Sequence, residues 1–318
     1  MTTLRFSVVI PAHRDNAAFR RCVAAALAQD YPDFEVVVAS DRPIPDLPED
    51  VVSVETGSSA DTSPAEKRDR AMSGATGDVM AYLDDDAYPA RDWLSRAAEH
   101  FADESVHVLG GPGLTPPDSP WPERVGGAVY ESPAGSAFLR HRFLPLPPRS
   151  VSDYPAYNLF VRREALAAVG GWGTTFYGGE DTVLCLKLAQ AGWLVRYSPD
   201  VVVFHRRRPI LRAHLQQVAN VGRHRGYFMR AFPATSRRAL YVLPAFAPLG
   251  LALGAVALRR HPALGFGVAA AGYALVAAET LRRHPASVAL VTPAVTAAHH
   301  LAYGTAFVRG LLGRGLSR

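Results

Sequence analysis

The sequence has too few cysteines for a disulfide framework. Cys22 and Cys185 are the only two in 318 residues, and each falls on what reads as a helix face, the usual setting of a reduced, buried thiol. No secretory leader is legible at the start: Leu4 to Ile10 is short, contains Arg5 and Ser7, and ends at Pro11 without a small-residue cleavage pattern. The first domain is therefore expected to be cytoplasmic. Glycine is missing from Pro11-Ala12-His13-Arg14, so the turn after the first strand lacks the glycine-rich phosphate loop that nucleotidyl transfer would call for. A basic patch interleaved with aromatic residues is also missing. The net charge of +5 gathers beside apolar stretches, which excludes nucleic acid as the simplest partner and favours anionic lipid.

Charge itself is absent from Leu240 to Leu258, a run that at about 1.5 Å per residue approaches the ~30 Å of a bilayer's hydrocarbon. Leu264 to Leu281 repeats the pattern with only Glu279 inside it, and Ala286 to Val308, carrying His299 and His300, is a third and weaker candidate. Arg237, Arg238, Arg259, Arg260, Arg282, Arg283, Arg309 and Arg314 flank these runs, as suits head groups. The expectation is a membrane region over 237–318 with two or three transmembrane helices. Its topology stays open, because a three-span path would put one arginine pair on the wrong side. Before it, 209–236 reads as a basic amphipathic segment, either interfacial or packed on the catalytic domain.

What is present in the first 208 residues is an alternation of strands and helices. Ser7-Val8-Val9-Ile10 is a continuous apolar run, the mark of a strand covered on both faces. Phe19, Cys22, Val23, Ala26 and Leu27 follow at helical spacing, with Asp15 or Asn16 as cap. Glu35 to Ala39 and Val51 to Val54 read as strands, and Ser63-Pro64-Ala65-Glu66 as a capping box opening a helix. Asp78 to Leu83 is a fourth strand. Such an α/β order implies a mostly parallel central sheet whose ligands bind beyond the carboxyl ends of the strands. Those ends carry Pro11 to Asp15, Ser40-Asp41 and the triplet Asp84-Asp85-Asp86.

Three adjacent carboxylates need a cation. A hard ion such as Mn²⁺ or Mg²⁺ takes oxygen ligands and keeps positions open for a substrate phosphate. Pro112 to Pro155 reads as a long Pro-rich excursion. Beyond it, Gly170-Gly171-Trp172 leads through a glycine-rich loop to Gly179-Glu180-Asp181, where Asp181 opens a helix.

Taken in order, Ser7 to His13, Glu35 to Asp41, Tyr82 to Asp86, and Gly171-Trp172 with Gly179-Glu180-Asp181 resemble the family-two glycosyltransferases, over roughly residues 4–208. The resemblance implies a GT-A type nucleotide-diphospho-sugar transferase fold, an inverting reaction and a divalent metal. It implies that Pro11, Ala12, Asp15, Asp41 and Lys67, with Asp84 and Asp85, border the donor, and that Arg68 and Asp69 lie near it. It places Asp84 and Asp86, with His205, at the metal, and Glu180 and Asp181 on the acceptor side with Trp172 and Gly179, Asp181 being the base. Two departures stand out. The second strand ends Ala39-Ser40-Asp41-Arg42-Pro43, without the family's second acid, which puts the donor's identity in doubt. The arginine-tryptophan motif of processive members is missing from Gln216 to Tyr227, which argues for addition of one sugar.

The chemistry agrees with the resemblance. A departing diphosphate needs a cation, which Arg206, Arg207 or Arg208 would supplement, and an acceptor hydroxyl needs a base on the far side of the anomeric carbon. The expected protein is a membrane-integral, metal-dependent transferase of hexosyl type, taking a nucleotide-diphosphate sugar to a lipid-linked acceptor in polysaccharide or glycoconjugate assembly. A polyprenyl phosphate acceptor, or a non-catalytic nucleotide-sugar-binding scaffold, are the other readings.

Overall fold

The computed structural model describes residues 4–58, 61–313 and 315–316, so that Arg314 among the flanking arginines lies outside the described residues. The chain opens with strand β1 (Phe6–Pro11), helix α1 (Ala17–Leu27), β2 (Phe34–Ser40), β3 (Val51–Glu55), α2 (Pro64–Ala71), β4 (Val79–Tyr82) and β5 (Ala87–Pro89). Then come α3 (Trp93–Phe101), β6 (Val108–Gly110), β7 (Gly113–Leu114), α4 (Trp121–Glu131) and α5 (Pro133–Ser136). They are followed by β8 (Arg149–Val151), β9 (Leu159–Arg162), α6 (Arg163–Ala168), α7 (Glu180–Gln190), β10 (Val195–Tyr197) and β11 (Val203–His205). The rest is helical: α8 (Arg212–Ala231), α9 (Pro233–Ser236), α10 (Ala239–Val242), α11 (Ala247–Arg260), α12 (Pro262–Leu281), α13 (Ala286–Ala289) and α14 (Thr292–Leu312).

Eight strands form one sheet in the order β3-β2-β1-β4-β9-β6-β10-β8. β1 runs parallel to β2 and β4, β2 to β3, and β6 to β10, while β9 lies antiparallel between β4 and β6. Every residue of β1 is buried because both faces are covered: Phe6, Val8 and Ile10 enter one apolar layer and Val9 the other. Asn16 caps α1 by accepting the Ala18 and Phe19 N–H groups, and the Ser63–Glu66 capping box opens α2 with Pro64 in its first turn. A second sheet, β5-β11-β7, pairs His205 with Ala87. That register sets a histidine from late in the chain beside the acidic triplet.

The chain divides into two compact units, residues up to 116 with 144–206, and 117–143 with 207 onward. The Pro-rich excursion is thus shared out. Its middle forms α4 and α5 in the second unit, with Pro122 in the first turn of α4, where its missing N–H costs nothing. Within that unit α8 buries His214, Val218, Gly222, Gly226 and Phe228, and α14 buries His299, Tyr303, Phe307 and Gly310. A Cβ on Gly226 would sit 2.0 Å from the Phe307 carbonyl oxygen, and one on Gly310 2.0 Å from that of Arg223. These glycines let the two backbones meet. The segment read as interfacial or packed on the catalytic domain therefore packs on α14, and the third apolar run is its partner. Two stretches, Ala239–Arg260 and Pro262–Leu281, are long and apolar enough to cross a membrane, with mean hydropathies of 1.9 and 1.5.

Candidate functional site

Helix α2 organises the site through three consecutive residues. Neighbours on a helix point about 100° apart, so Lys67, Arg68 and Asp69 address three different segments. Lys67 Nζ lies 2.8 Å from Asp41 Oδ2. Arg68 Nη2 lies 2.7 Å from Asp84 Oδ1 and its Nη1 3.2 Å from Glu180 Oε1, with its guanidinium 4.6 Å over the Trp172 ring. Asp69 accepts the Trp172 and Gly173 N–H groups at 2.8 and 3.0 Å. Gly171 has φ +70, and a Cβ there would stand 2.6 Å from Asp69 Oδ1. One helix thus ties the second strand's end, the acidic triplet and the glycine loop together.

Asp41 also accepts hydrogen bonds from the Thr56 and Thr62 hydroxyls at 2.8 and 2.6 Å. Burial would raise its carboxyl, but Lys67, Thr62 and Thr56 outweigh it and bring the value down to about 2. A folded value below the unfolded one stabilises the fold above about pH 4, and that stability is lost as pH falls through 2. Asp41→Asn should therefore cost about 2 kcal/mol at neutral pH. In denaturant melts of both proteins, the pH-dependent part of the gap should narrow below about pH 4 and close only as pH falls through 2.

Because β1 and β4 are neighbours, the turns that follow them meet: the His13 N–H donates to Asp85 Oδ2 at 2.8 Å. Asp85 is thereby turned toward the first loop. Asp84, Asp86 and His205 instead offer ligand atoms that all lie within 4.8 Å of one another, and His205 Nε2 is 3.0 Å from Asp86 Oδ1. Burial pushes the Asp84 carboxyl up, Arg68 pulls it back, and the Asp86 charge adds to the push. Burial also raises Asp85, against its bond from His13. Two carboxylates and an imidazole at this spacing fit Mn²⁺ or Mg²⁺, since charge crowded in this way is relieved by a divalent ion.

On the other side, Gly178 and Gly179 take φ +98 and +81 to turn the chain into α7. Glu180 is buried, and its carboxylate is engaged by Arg68 and by the Gly178 N–H at 2.9 Å. Asp181, half-buried, accepts the Thr182 N–H at 2.7 Å. The paired acids therefore differ: Glu180 is buried and held by an ion pair, whereas Asp181 is half-buried at the first turn of α7. Trp172, expected on the acceptor side, is fully buried, edge-on to Tyr82 and beneath Arg68. It forms the floor of the site rather than a face for an incoming molecule.

Pro11 and Ala12 are buried, with the Ala12 N–H bonded to the Ala39 carbonyl. Asp15 forms a two-pronged pair with Arg20, both contacts at 2.7 Å, and Arg20 also donates to the Pro45 and Asp46 carbonyls. It braces the loops around the site. Of the three consecutive arginines, Arg207 belongs to the second unit, where it lies 5.0 Å over the Phe143 ring. The sequence reading grouped Arg68 with its neighbours and missed its bridging role. A signal was present: a helix as polar as α2, set against core strands, must pair its charges internally.

A model of the family described as "Glycosyl transferase family 2" matches residues 7–170. Among curated proteins, the pre-mycofactocin glycosyltransferase of Mycobacterium tuberculosis is 33% identical over 160 residues, 50% of this chain and 33% of that protein. The chain thus spans about a third of the length of the curated relatives it matches first. Glycosyltransferase AglE of Haloferax volcanii is 24% identical over 220 residues, 65% of this chain and 69% of its own length. Among solved structures, the mannosyltransferase PcManGT from Pyrobaculum calidifontis, in complex with GDP-Man and Mn²⁺, superposes with a TM-score of 0.64 at 20% identity, covering 98% of this chain and 88% of that one. The fold is of GT-A type, as the sequence reading expected.

Proposed function

With just over half of its length matched, the chain belongs to glycosyl transferase family 2, and from that membership we propose that it is a membrane-attached, metal-dependent, inverting glycosyltransferase. It moves one sugar from a nucleotide-diphosphate donor to a lipid-linked glycan acceptor at the cytoplasmic face. The observation that carries the reading is Arg68, which couples the Asp84–Asp86–His205 cluster to the acids at the start of α7.

In this mechanism Asp41 and Lys67 border the nucleotide, at the carboxyl end of β2. Asp84, Asp86 and His205 would hold Mn²⁺ or Mg²⁺, which supplies electrostatic stabilisation of the departing diphosphate. Asp181 takes the proton of the acceptor hydroxyl, so that the oxygen attacks opposite the leaving group and the anomeric configuration inverts. Glu180, held by Arg68, fixes the first turn of α7 and with it the position of Asp181. Water is kept from beneath by the Trp172 and Tyr82 rings, both fully buried.

The test is release of nucleoside diphosphate by purified full-length protein from a panel of nucleotide sugars, with Mn²⁺ or Mg²⁺ and lipid extract. Lipid-dependent release, reduced about 10² to 10⁴-fold in Asp181→Asn, is the expected result. Undiminished turnover in that variant would move the acceptor to a polyprenyl phosphate, whose oxygen needs no base. Nucleotide-sugar binding without transfer under any lipid condition would refute the catalytic reading.

A further inference from the structure

In the second unit, α11 and α12 are joined by His261 alone. In the 18-residue apolar window of each stretch only 6% and 11% is buried, which is the opposite of a core helix. Leu249, Leu253, Leu264, Phe266, Val268 and Leu275 are 56–73% exposed, far beyond the scattered apolar residues of an ordinary surface. Cβ atoms added at Gly250, Gly254, Gly267 and Gly272 would meet nothing within 4 Å. Near the turn the helices close up, since a Cβ on Gly265 would stand 3.0 Å from the Leu258 Cα.

The two ends opposite the turn behave differently. Tyr241 is buried under the Arg225 guanidinium at 4.4 Å, and a Cβ on Gly304 of α14 would lie 2.0 Å from the Pro244 carbonyl oxygen. Ala277 and Thr280 are buried, and Glu279 lies 3.4 Å from Arg140. Both feet are therefore set in the body of the same unit. From the turn of 3-10 helix at Leu243–Phe246 to the tip, the first arm rises about 29 Å, and the 20 residues of α12 rise about 30 Å. That length matches a bilayer's hydrocarbon.

We propose that α11 and α12 form a hairpin that crosses the lipid bilayer and returns, so that only the tip, Arg259-Arg260-His261, reaches the opposite surface. This rests on the membrane attachment in the proposed function and gives it a topology. Lipid is the occupant of the exposed face because basic residues stand at the tip and feet and apolar ones between. α14 is not a third span, as its buried face is filled by α8. The feet carry Arg237, Arg238, Arg282 and Arg283, against Arg259 and Arg260 at the tip. Four arginines against two orient the feet toward the cytoplasm. With no other candidate span among the described residues, the segments on either side of the hairpin share that side.

Cysteine labelling tests this directly, because the native Cys22 and Cys185 are buried and give a low background. Ala239→Cys and Ser287→Cys mark the feet and His261→Cys the tip, all at exposed positions. A membrane-impermeant maleimide applied to spheroplasts should label His261→Cys at least tenfold more than the other two, and inverted vesicles should reverse the order. Labelling of all three from one side, or of the feet alone, overturns the hairpin. A parallel carbonate wash separates the two ideas. Protein released by carbonate refutes membrane integration and the hairpin with it, whereas protein retained with same-side labelling refutes the hairpin alone.

Discussion

Replacing Asp86 by alanine should lower nucleoside diphosphate release by at least about 10³-fold and flatten its response to added Mn²⁺. The carboxylate is about one-fifth exposed and pairs with His205 rather than with Arg68, so its loss removes the proposed cation ligand and leaves the Arg68 ion pairs intact. The fold should survive, and the melting profile should stay close to that of the parent. Asp86→Asn sharpens the result. It keeps the side chain's volume and an oxygen facing the imidazole but loses the negative charge. An equal fall in rate would assign the effect to charge, as metal binding requires, and a near-normal rate would remove Asp86 from the proposed metal site.

Arg68→Ala should act on the fold as well as on the rate. Arg68 is 2% exposed and Glu180 10%, so deleting the guanidinium strands a buried carboxylate, a change that costs about 3–5 kcal/mol. Asp84 is 35% exposed and adds less, because solvent screens it. The thermal midpoint should drop by on the order of 10 °C. Combining Arg68→Met with Glu180→Gln removes the stranded charge and should restore much of that stability. Turnover should stay low, since nothing then fixes the first turn of α7 beside the acidic triplet. Recovery of both would make Arg68 a folding residue only.

The parts of this molecule that were legible in the sequence are those decided by local chemistry. The continuous apolar run of β1 and the Ser63–Glu66 cap are written in a few adjacent residues and are found as read. The acidic triplet after β4 is legible for the same reason. What the residues alone could not give is what depends on pairing across the chain. His205 meets Asp86 through the β5–β11 register, which no local pattern encodes, and only the family resemblance placed it there. Arg68 bridges residues 16 and 112 positions away. The family resemblance set Trp172 on the acceptor side, yet Asp69 draws its loop inward and the ring is buried. The helix α4 was hidden by its prolines, and the role of α14 by an apolar composition that a glycine seam shares with a membrane span.

The first unit is discontinuous, and this has a consequence for how the protein is made. During synthesis β1 to β7 emerge first, but β6 has no place in the main sheet until β9 arrives to lie between it and β4. Residues 117–143 are translated in the interval and belong to the other unit. The imidazole of His205 comes later still, within the last strand of its sheet. A nascent chain halted between Asp86 and that strand carries both acids of the cluster without their third partner. The proposed ion site is thus completed only near the end of the first unit's assembly, as contacts distant in sequence form slowly. An ion held there would draw the finished sheet toward its native form, since it would favour only the folded state.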